Sequence, residues 1–508
     1  MVLVRLAAVL LAAATLFAAA PARSSAEGEP PTQVGRVSFV SGKVGFETAG
    51  AWIPAAVNFP IAERQALRTE GDARAELRIG AMTVMLSGDT EVEIARLDGT
   101  VAELVVPHGR VGVELRVLPK DRSVEFDIPR GGIWLVDAGR YDIEAGAAGQ
   151  PARVAAFSGK ARVVAGPRET ELGASEAVTL AGTDSAVATA AAAPDAFVEW
   201  CRTRGSDEAQ LTAPLHVSRD MAGYDALDAN GAWETTTDYG AVWYPNLPAA
   251  EWAPFRFGHW VRLEPWGWTW IDDRPWAFAV SHYGRWVHTP GADGQPARWG
   301  WVPGKFVAEP AFVPAVVAFL GTDGVGLSYA DGYGPAMAWF PLAPGEVYWP
   351  RSRRDIAFIR RLNEGAVDDV NLIAIGPDGA IPDGVGLERL ANRAFAAAMP
   401  RAAFLAGKPV AAALVEVPER RLLHAPLLLG SLPQPAPPRP AVAVLRPSTP
   451  PPAATVAARL ARIVRHAAAR PALRKPAPLL AVRPHAPATA IHPTSRRAHF
   501  AAGRAAWR

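Results

Sequence analysis

Ala73-Arg74-Ala75-Glu76-Leu77-Arg78-Ile79 places a small or apolar residue at every second position, with charges between. That is the spacing of a strand with one buried and one solvated face. Met82-Thr83-Val84-Met85-Leu86 and Glu91-Val92-Glu93-Ile94-Ala95 follow in the same manner, and Ser87-Gly88-Asp89 supplies the turn between them. Val124-Glu125-Phe126-Asp127-Ile128 and Ala161-Arg162-Val163-Val164 continue the theme, and no apolar period of helical length interrupts it. Residues 34–180 therefore read as an all-β unit of many short strands.

The second half is patterned differently. Eleven of the 17 tryptophans fall between Trp233 and Trp301, within a near-repeat. Phe257-Gly258-His259-Trp260-Val261 precedes Trp266-Gly267-Trp268, and Tyr283-Gly284-Arg285-Trp286-Val287 precedes Trp299-Gly300-Trp301. Aromatic-Gly-x-Trp-Val predicts a strand with a turn at its start, because glycine adopts backbone angles closed to other residues and the rings supply packing area. A buried strand is expected over Ala315 to Leu320. Residues 224–430 thus form a Trp-rich antiparallel β domain, and 181–223 an Ala-rich linker holding a short helix capped by Asp195.

The order Gly35-Arg36-Val37, Val40-Ser41-Gly42-Lys43-Val44, Trp52, Asn58-Phe59-Pro60-Ile61, Leu67-Arg68-Thr69 and Ala73-Arg74-Ala75-Glu76-Leu77 resembles a FecR-type domain. Leu86-Ser87-Gly88-Asp89-Thr90-Glu91-Val92, Gly109-Arg110-Val111, Phe157-Ser158-Gly159-Lys160-Ala161 and Leu172-Gly173 extend the likeness over residues 34–180. Arg64-Gln65 stands where the family usually has a Gly-Asp turn. The resemblance implies a twisted, solenoid-like or sandwich-like β domain working in the bacterial envelope. FecR regulators also signal through a cytosolic domain and a membrane helix; neither is read in this sequence, so the resemblance carries the fold alone. From about Tyr224 to Val410 the order of aromatic motifs resembles a Trp-rich domain of unknown function that often follows FecR-type domains in exported bacterial proteins.

Length allows two to four domains in 508 residues, and 45 Gly with 47 Pro favour turns and short strands over long helices. Arg5, the apolar run Leu6 to Ala20 and the small residues to Ala26 make residues 1–26 a secretory signal peptide, so the mature chain is expected in the periplasm or outside the cell. Cys201 is the single cysteine, which excludes an internal disulfide and a cysteine metal cluster. Residues 431–508 hold 13 Lys plus Arg and no Asp or Glu, leaving 39 basic against 50 acidic residues elsewhere, a net of −11. This Pro-, Ala- and Arg-rich tail is expected to be disordered, because its composition buries too little apolar surface to offset ordering entropy.

Site chemistry is sparse. Trp266, Trp268 and Trp270 would share one face of a strand, as in a row of indoles that holds sugar rings or peptide prolines. The alternative, favoured by the shortage of Leu and Ile around them, is that the indoles are the domain core. A binding role rests best on Trp268, Trp270, His282, Tyr283, Arg285 and Trp286, with an envelope glycan or another envelope protein as partner. In the tail, Arg459, Arg462, Arg465, Arg474, Lys475, Arg496 and Arg497 would meet anionic lipid or lipopolysaccharide; specific nucleic-acid binding is not expected of an exported chain. His259, His282 and His288 have no metal-ligand spacing, Asp272-Asp273-Arg274-Pro275 reads as a turn, and no nucleophile elbow or phosphate loop is present, so a non-enzymatic envelope scaffold without a cofactor is expected. A glycan-binding module is the first alternative and an envelope polysaccharide hydrolase, whose carboxylates need no fixed sequence spacing, the lesser one.

Overall fold

The computed structural model describes residues 29–434 apart from 147–149, 182–185, 206–209, 249–251, 292–295, 322–326, 329–334, 352–354, 368–389 and 430. The signal-peptide reading and all seven tail cations lie outside the described residues. The described residues belong to one compact unit. It is mainly β, built from several antiparallel sheets. Among the described residues no helix is long and apolar enough to cross a membrane.

Period-2 segments of the first half assemble into two nine-stranded sheets. One runs, strand by strand, Ala186–Ala191, Glu176–Ala181, Ala152–Ser158, Gly139–Glu144, Arg110–Leu115, Met82–Leu86, Arg74–Ile79, Gly35–Ser41 and Pro60–Ile61. The other runs Arg168–Leu172, Ala161–Ala165, Gly131–Leu135, Ser123–Ile128, Val101–His108, Glu91–Leu97, Ala66–Thr69, Val44–Thr48 and Ala51–Pro54. The chain passes repeatedly from one sheet to the other, which gives a sandwich with solenoid-like winding. Val37, Val84, Val111 and Ile143 of the first sheet meet Phe46, Leu104, Phe126 and Val163 of the second in one apolar core. The alternation puts them there, since every second side chain faces inward.

Ser87-Gly88-Asp89 is a turn, but it hands the chain from one sheet to the other. Gly88 lies so near residue 71 that an added Cβ would stand 1.8 Å from the Gly71 carbonyl oxygen. At the departure from the FecR pattern the turn survives, with Arg64 held left-handed at φ 67°. The Gln65 side-chain oxygen accepts from the Ala62 N–H at 2.9 Å, which steadies it.

The linker reading needs one correction. Ala186–Ala191 is an edge strand, in full register with Glu176–Ala181. An alanine run carries neither alternation nor β preference, so only the neighbouring strand dictates its state. The helix spans Ala196–Arg204, and Asp195 caps it by accepting from the N–H groups of Phe197 and Val198. Trp200 reaches Phe39 of the sandwich, with ring centroids 6.1 Å apart.

Each copy of the tryptophan near-repeat becomes a hairpin. Gly258–Leu263 pairs with Gly267–Asp272, placing Trp260 opposite Trp270. Arg285–Thr289 pairs with Arg298–Val302, placing Trp286 opposite Trp301. The second hairpin lies in a four-stranded sheet with Gly240–Pro245 and Gly231–Thr236. The buried strand expected over 315–320 is Val317–Leu320, paired with Pro335–Pro341, which also pairs with Ala397–Pro400. The two motif glycines serve different ends: Gly284 is left-handed at φ 61°, whereas a Cβ on Gly258 would lie 2.3 Å from the Ile271 carbonyl oxygen.

Candidate functional site: an aromatic cleft beside a polar seam

Sandwich and tryptophan unit share a buried seam. Leu263 and Ile271 of the first Trp hairpin enter the sandwich core. Around them the contacts are polar. Asn58, left-handed at φ 69°, donates through its side-chain nitrogen to the carbonyls of Asp272 (2.9 Å) and Arg274 (2.8 Å). Gln65 donates to the Glu264 carbonyl at 2.9 Å, and Arg36 to that of Pro275. Asp225, from the start of the tryptophan unit, pairs with Arg78 and lies 3.9 Å from Arg36. Arg78 and Arg204 in turn hold Glu76 at 2.8 and 2.6 Å. Burial pushes the Glu76 carboxyl up, but Arg78, the Ser38 hydroxyl and Arg204 outweigh it and hold it below the usual range. Arg122 makes a bidentate pair with Asp220 at 2.6 and 2.9 Å, a further bond across the seam.

The six residues singled out for binding are all buried: Trp268, Trp270, His282, Tyr283, Arg285 and Trp286. Of the expected row of indoles, Trp268 and Trp270 are therefore buried, and Trp266 is half-buried. Trp270 donates to the Asp272 carboxylate at 3.1 Å and Trp286 to the Val280 carbonyl at 2.9 Å. His282 Nδ1 lies 2.8 Å from the Val313 carbonyl, and burial lowers its pKa to about 3, so the ring stays neutral. Arg285 spends its donors on the carbonyls of Glu346 and Gly284 and on Asn363 Oδ1, a structural clamp in the interior. A cavity of about 30 Å³ beside His282, Tyr283 and Arg285 has room for roughly one water.

Asp272-Asp273-Arg274-Pro275 is a turn, as its sequence predicts: the Asp272 carboxylate accepts from the Arg274 N–H at 3.0 Å. Burial raises the Asp272 pKa to about 7, against the pull of these hydrogen bonds. Asp273 sits 3.8 Å from His259. Cys201 is half-buried near Gly112, and burial, with Asp142 adding to it, pushes its thiol up to about 12. It is held as an unreactive thiol. Among the described residues no group of three or more His, Cys, Asp or Glu is placed to hold a metal ion.

Open space lies elsewhere, in a cleft of about 330 Å³ walled by Trp260, Trp266, Trp268, Phe319, Trp349 and Phe358. Arg262, Glu264 and Arg351 also line it, with Arg262 and Glu264 paired at 2.7 Å. Two remote pieces of the chain meet in it. Trp266 donates its indole N–H to the Pro31 carbonyl at 2.9 Å, and Trp268 to the Pro433 carbonyl at 3.0 Å. Sequence reasoning missed Trp260 and Trp349 as cleft residues. It also missed that the segment ahead of the first β unit docks on the tryptophan unit, where the Phe312 N–H donates to the Thr32 carbonyl.

Residues 224–346 match a family of unknown function, DUF6600. This covers less than half of the chain and coincides with the hairpins of the tryptophan near-repeat. No curated protein matches the chain. Two crystal structures of a proposed anti-sigma factor from Parabacteroides distasonis ATCC 8503 are similar to it at 11% identity and a TM-score of 0.23. They are matched over 25% and 30% of this chain, which spans 59% and 64% of theirs.

Proposed function

We propose that this protein is a non-enzymatic, exported scaffold or interaction protein of the bacterial envelope, a FecR-type β sandwich carrying a Trp-rich unit. The observation that carries the reading is the seam. Asn58, Gln65, Arg36, Arg78 and Arg122 all bond across it, and the first Trp hairpin completes the sandwich core. Such a joint suits a rigid platform, because removing either face would leave buried charges unpaired.

The ionisable groups support a structural role as well. Glu76, Asp142, Asp225 and Asp272 each hold a fixed partner within the fold, and His282 is locked neutral against a carbonyl. A general acid or base needs a proton-exchanging face toward a substrate. The cleft is walled chiefly by rings and prolines, which suits binding.

Two experiments test the proposal. Mass spectrometry of the native N-terminus should find cleavage by about residue 26; Met1 retained on a cytosolic protein would sink the exported part. Incubation with peptidoglycan and exopolysaccharide should release no fragments, and steady turnover would refute the non-enzymatic part.

A further inference from the structure

We infer that the sandwich carries a second, smaller site, a hollow beneath the helix Ala196–Arg204 that binds a neutral apolar molecule about the size of a single ring. It lies on the sandwich, apart from the aromatic cleft, and goes beyond the scaffold reading.

The helix is pinned to the outer face of the first sheet at both ends. Asp195 at its start pairs with Arg110 at 2.6 Å, and Arg204 at its end pairs with Glu76 at 2.6 Å. Between them it seats against Gly112, where an added Cβ would stand 2.5 Å from Cys201 Sγ. Beside this close contact, sheet and helix leave a partly open space of about 180 Å³. Walls around an empty space relax inward only as far as their anchors allow, and here both ends of the helix are anchored.

The walls set the chemistry of the occupant. Met85, Val113, Tyr141, Phe157, Val198 and Cys201 line the space. The Tyr141 hydroxyl is turned to the carbonyls of Asp137 (2.7 Å) and Lys160 (3.0 Å), which leaves its ring for the hollow. Carboxylates in the wall are matched inside the protein: Asp142 by Arg110 at 2.7 Å and Glu199 by Arg202 at 2.9 Å, while Glu114 stands opposite Arg140 in the strand register. A charged ligand would give up its hydration there and gain no unmatched partner. Water in so apolar a space has few hydrogen-bond partners, and its release favours a ligand that brings only carbon surface. Volume sets the size, since an apolar cavity of about 150 Å³ admits benzene.

The test uses the full chain with 13C-methyl methionine, its signals assigned by single Met→Leu changes, and toluene as the probe. Met85 lines the hollow, whereas Met82 of the same strand points into the sandwich core. Toluene should shift the Met85 methyl signal saturably and leave that of Met82 in place. Benzoate and benzylammonium, a similar ring with either charge, should bind at least about tenfold more weakly, and biphenyl should not enter. Val198→Phe places a ring in the space and should weaken toluene binding about tenfold or more, with the melting temperature held or raised. Should that variant unfold, Cys201→Leu fills the hollow from the next turn of the helix and is expected to act in the same way. An unmoved Met85 at the solubility limit of toluene would overturn the inference. So would an equal shift at Met82, which would mean non-specific entry into the core, and equal binding of the charged analogues. Toluene binding that survives unchanged in a folded filling variant would place it outside the hollow and overturn the assignment as well. None of these results touches the N-terminal and turnover tests of the scaffold reading.

Discussion

In the sandwich, Val, Leu, Ile and Phe arrive at every second position and need nothing from their neighbours beyond volume, as Val84, Leu104 and Phe126 illustrate. In the tryptophan unit the interior is indole against indole, with Trp260 facing Trp270 and Trp339 at 5.4 Å. Each of those rings brings a polar N–H inside. Trp243 finds the Leu227 carbonyl, Trp301 that of Tyr283, and Trp339 that of Phe255. The first core is specified by pattern and the second by individual partners. A core of the second kind tolerates irregular strands and loops, because the hydrogen bonds fix ring orientation where no regular register does.

Substitution at a fully buried indole is expected to have the largest effect. Trp286→Ala removes a whole ring and should cost about 3–5 kcal/mol by chemical denaturation. Trp286→Phe should retain much of the packing and still cost about 1–3 kcal/mol, by leaving the Val280 carbonyl without its donor. Leu104→Ala in the sandwich should cost about 2–5 kcal/mol with no such polar component. If Trp286→Phe were as mild as an Ile→Val change, the partner-specified description of this core would be wrong.

The seam comes next. Asn58→Ala removes two buried hydrogen bonds to the 272–275 turn and should destabilise by about 1–3 kcal/mol for each carbonyl left unpaired. It should also split a single calorimetric transition into two, since the modules would lose a shared anchor. A single transition displaced uniformly downward would mean the seam couples the modules through other contacts.

A smaller effect concerns pH. Asp272 is raised from 3.8 to about 7, so the unfolded chain ionises it first, and its contribution to stability falls as pH rises from about 4 to about 7. His282 is lowered from 6.5 to about 3; its contribution is complete above about 6.5 and is lost as pH falls toward 3. Between about pH 4 and 6.5 the two slopes oppose each other. Asp272→Asn should unmask the histidine slope, so that the melting temperature of the variant falls on acidification more steeply than that of the parent. Equal slopes would remove Asp272 as a raised carboxyl.

Much of the sandwich was legible because its strands alternate: Ala73 to Ile79 and Met82 to Leu86 needed no information beyond themselves. Ala186–Ala191 was not, since its strand state comes from the Glu176–Ala181 neighbour. Asn58 stood out within a motif, yet its partners lie 214 and 216 residues away, beyond any local signal. For the six proposed binding residues, spacing placed the rings on strands but said nothing of what covers them. Phe404 against Trp268 and the Leu342 carbonyl on the Trp286 backbone N–H do that, from distant segments. Trp260 and Trp349 escaped notice as cleft residues for the same reason, because the cleft exists only once residues 30–31 and 431–434 meet.

Hydrogen exchange of the indole N–H groups tests the central claim, that the tryptophan block is a hydrogen-bonded core. With 15N-labelled tryptophan and signals assigned by single Trp→Phe changes, the donors of Trp243, Trp270, Trp286 and Trp301 should exchange only as fast as global unfolding permits. Exchange of these four within minutes under native conditions, at a denaturant-independent rate, would show that the rings lie open to solvent and would contradict the account.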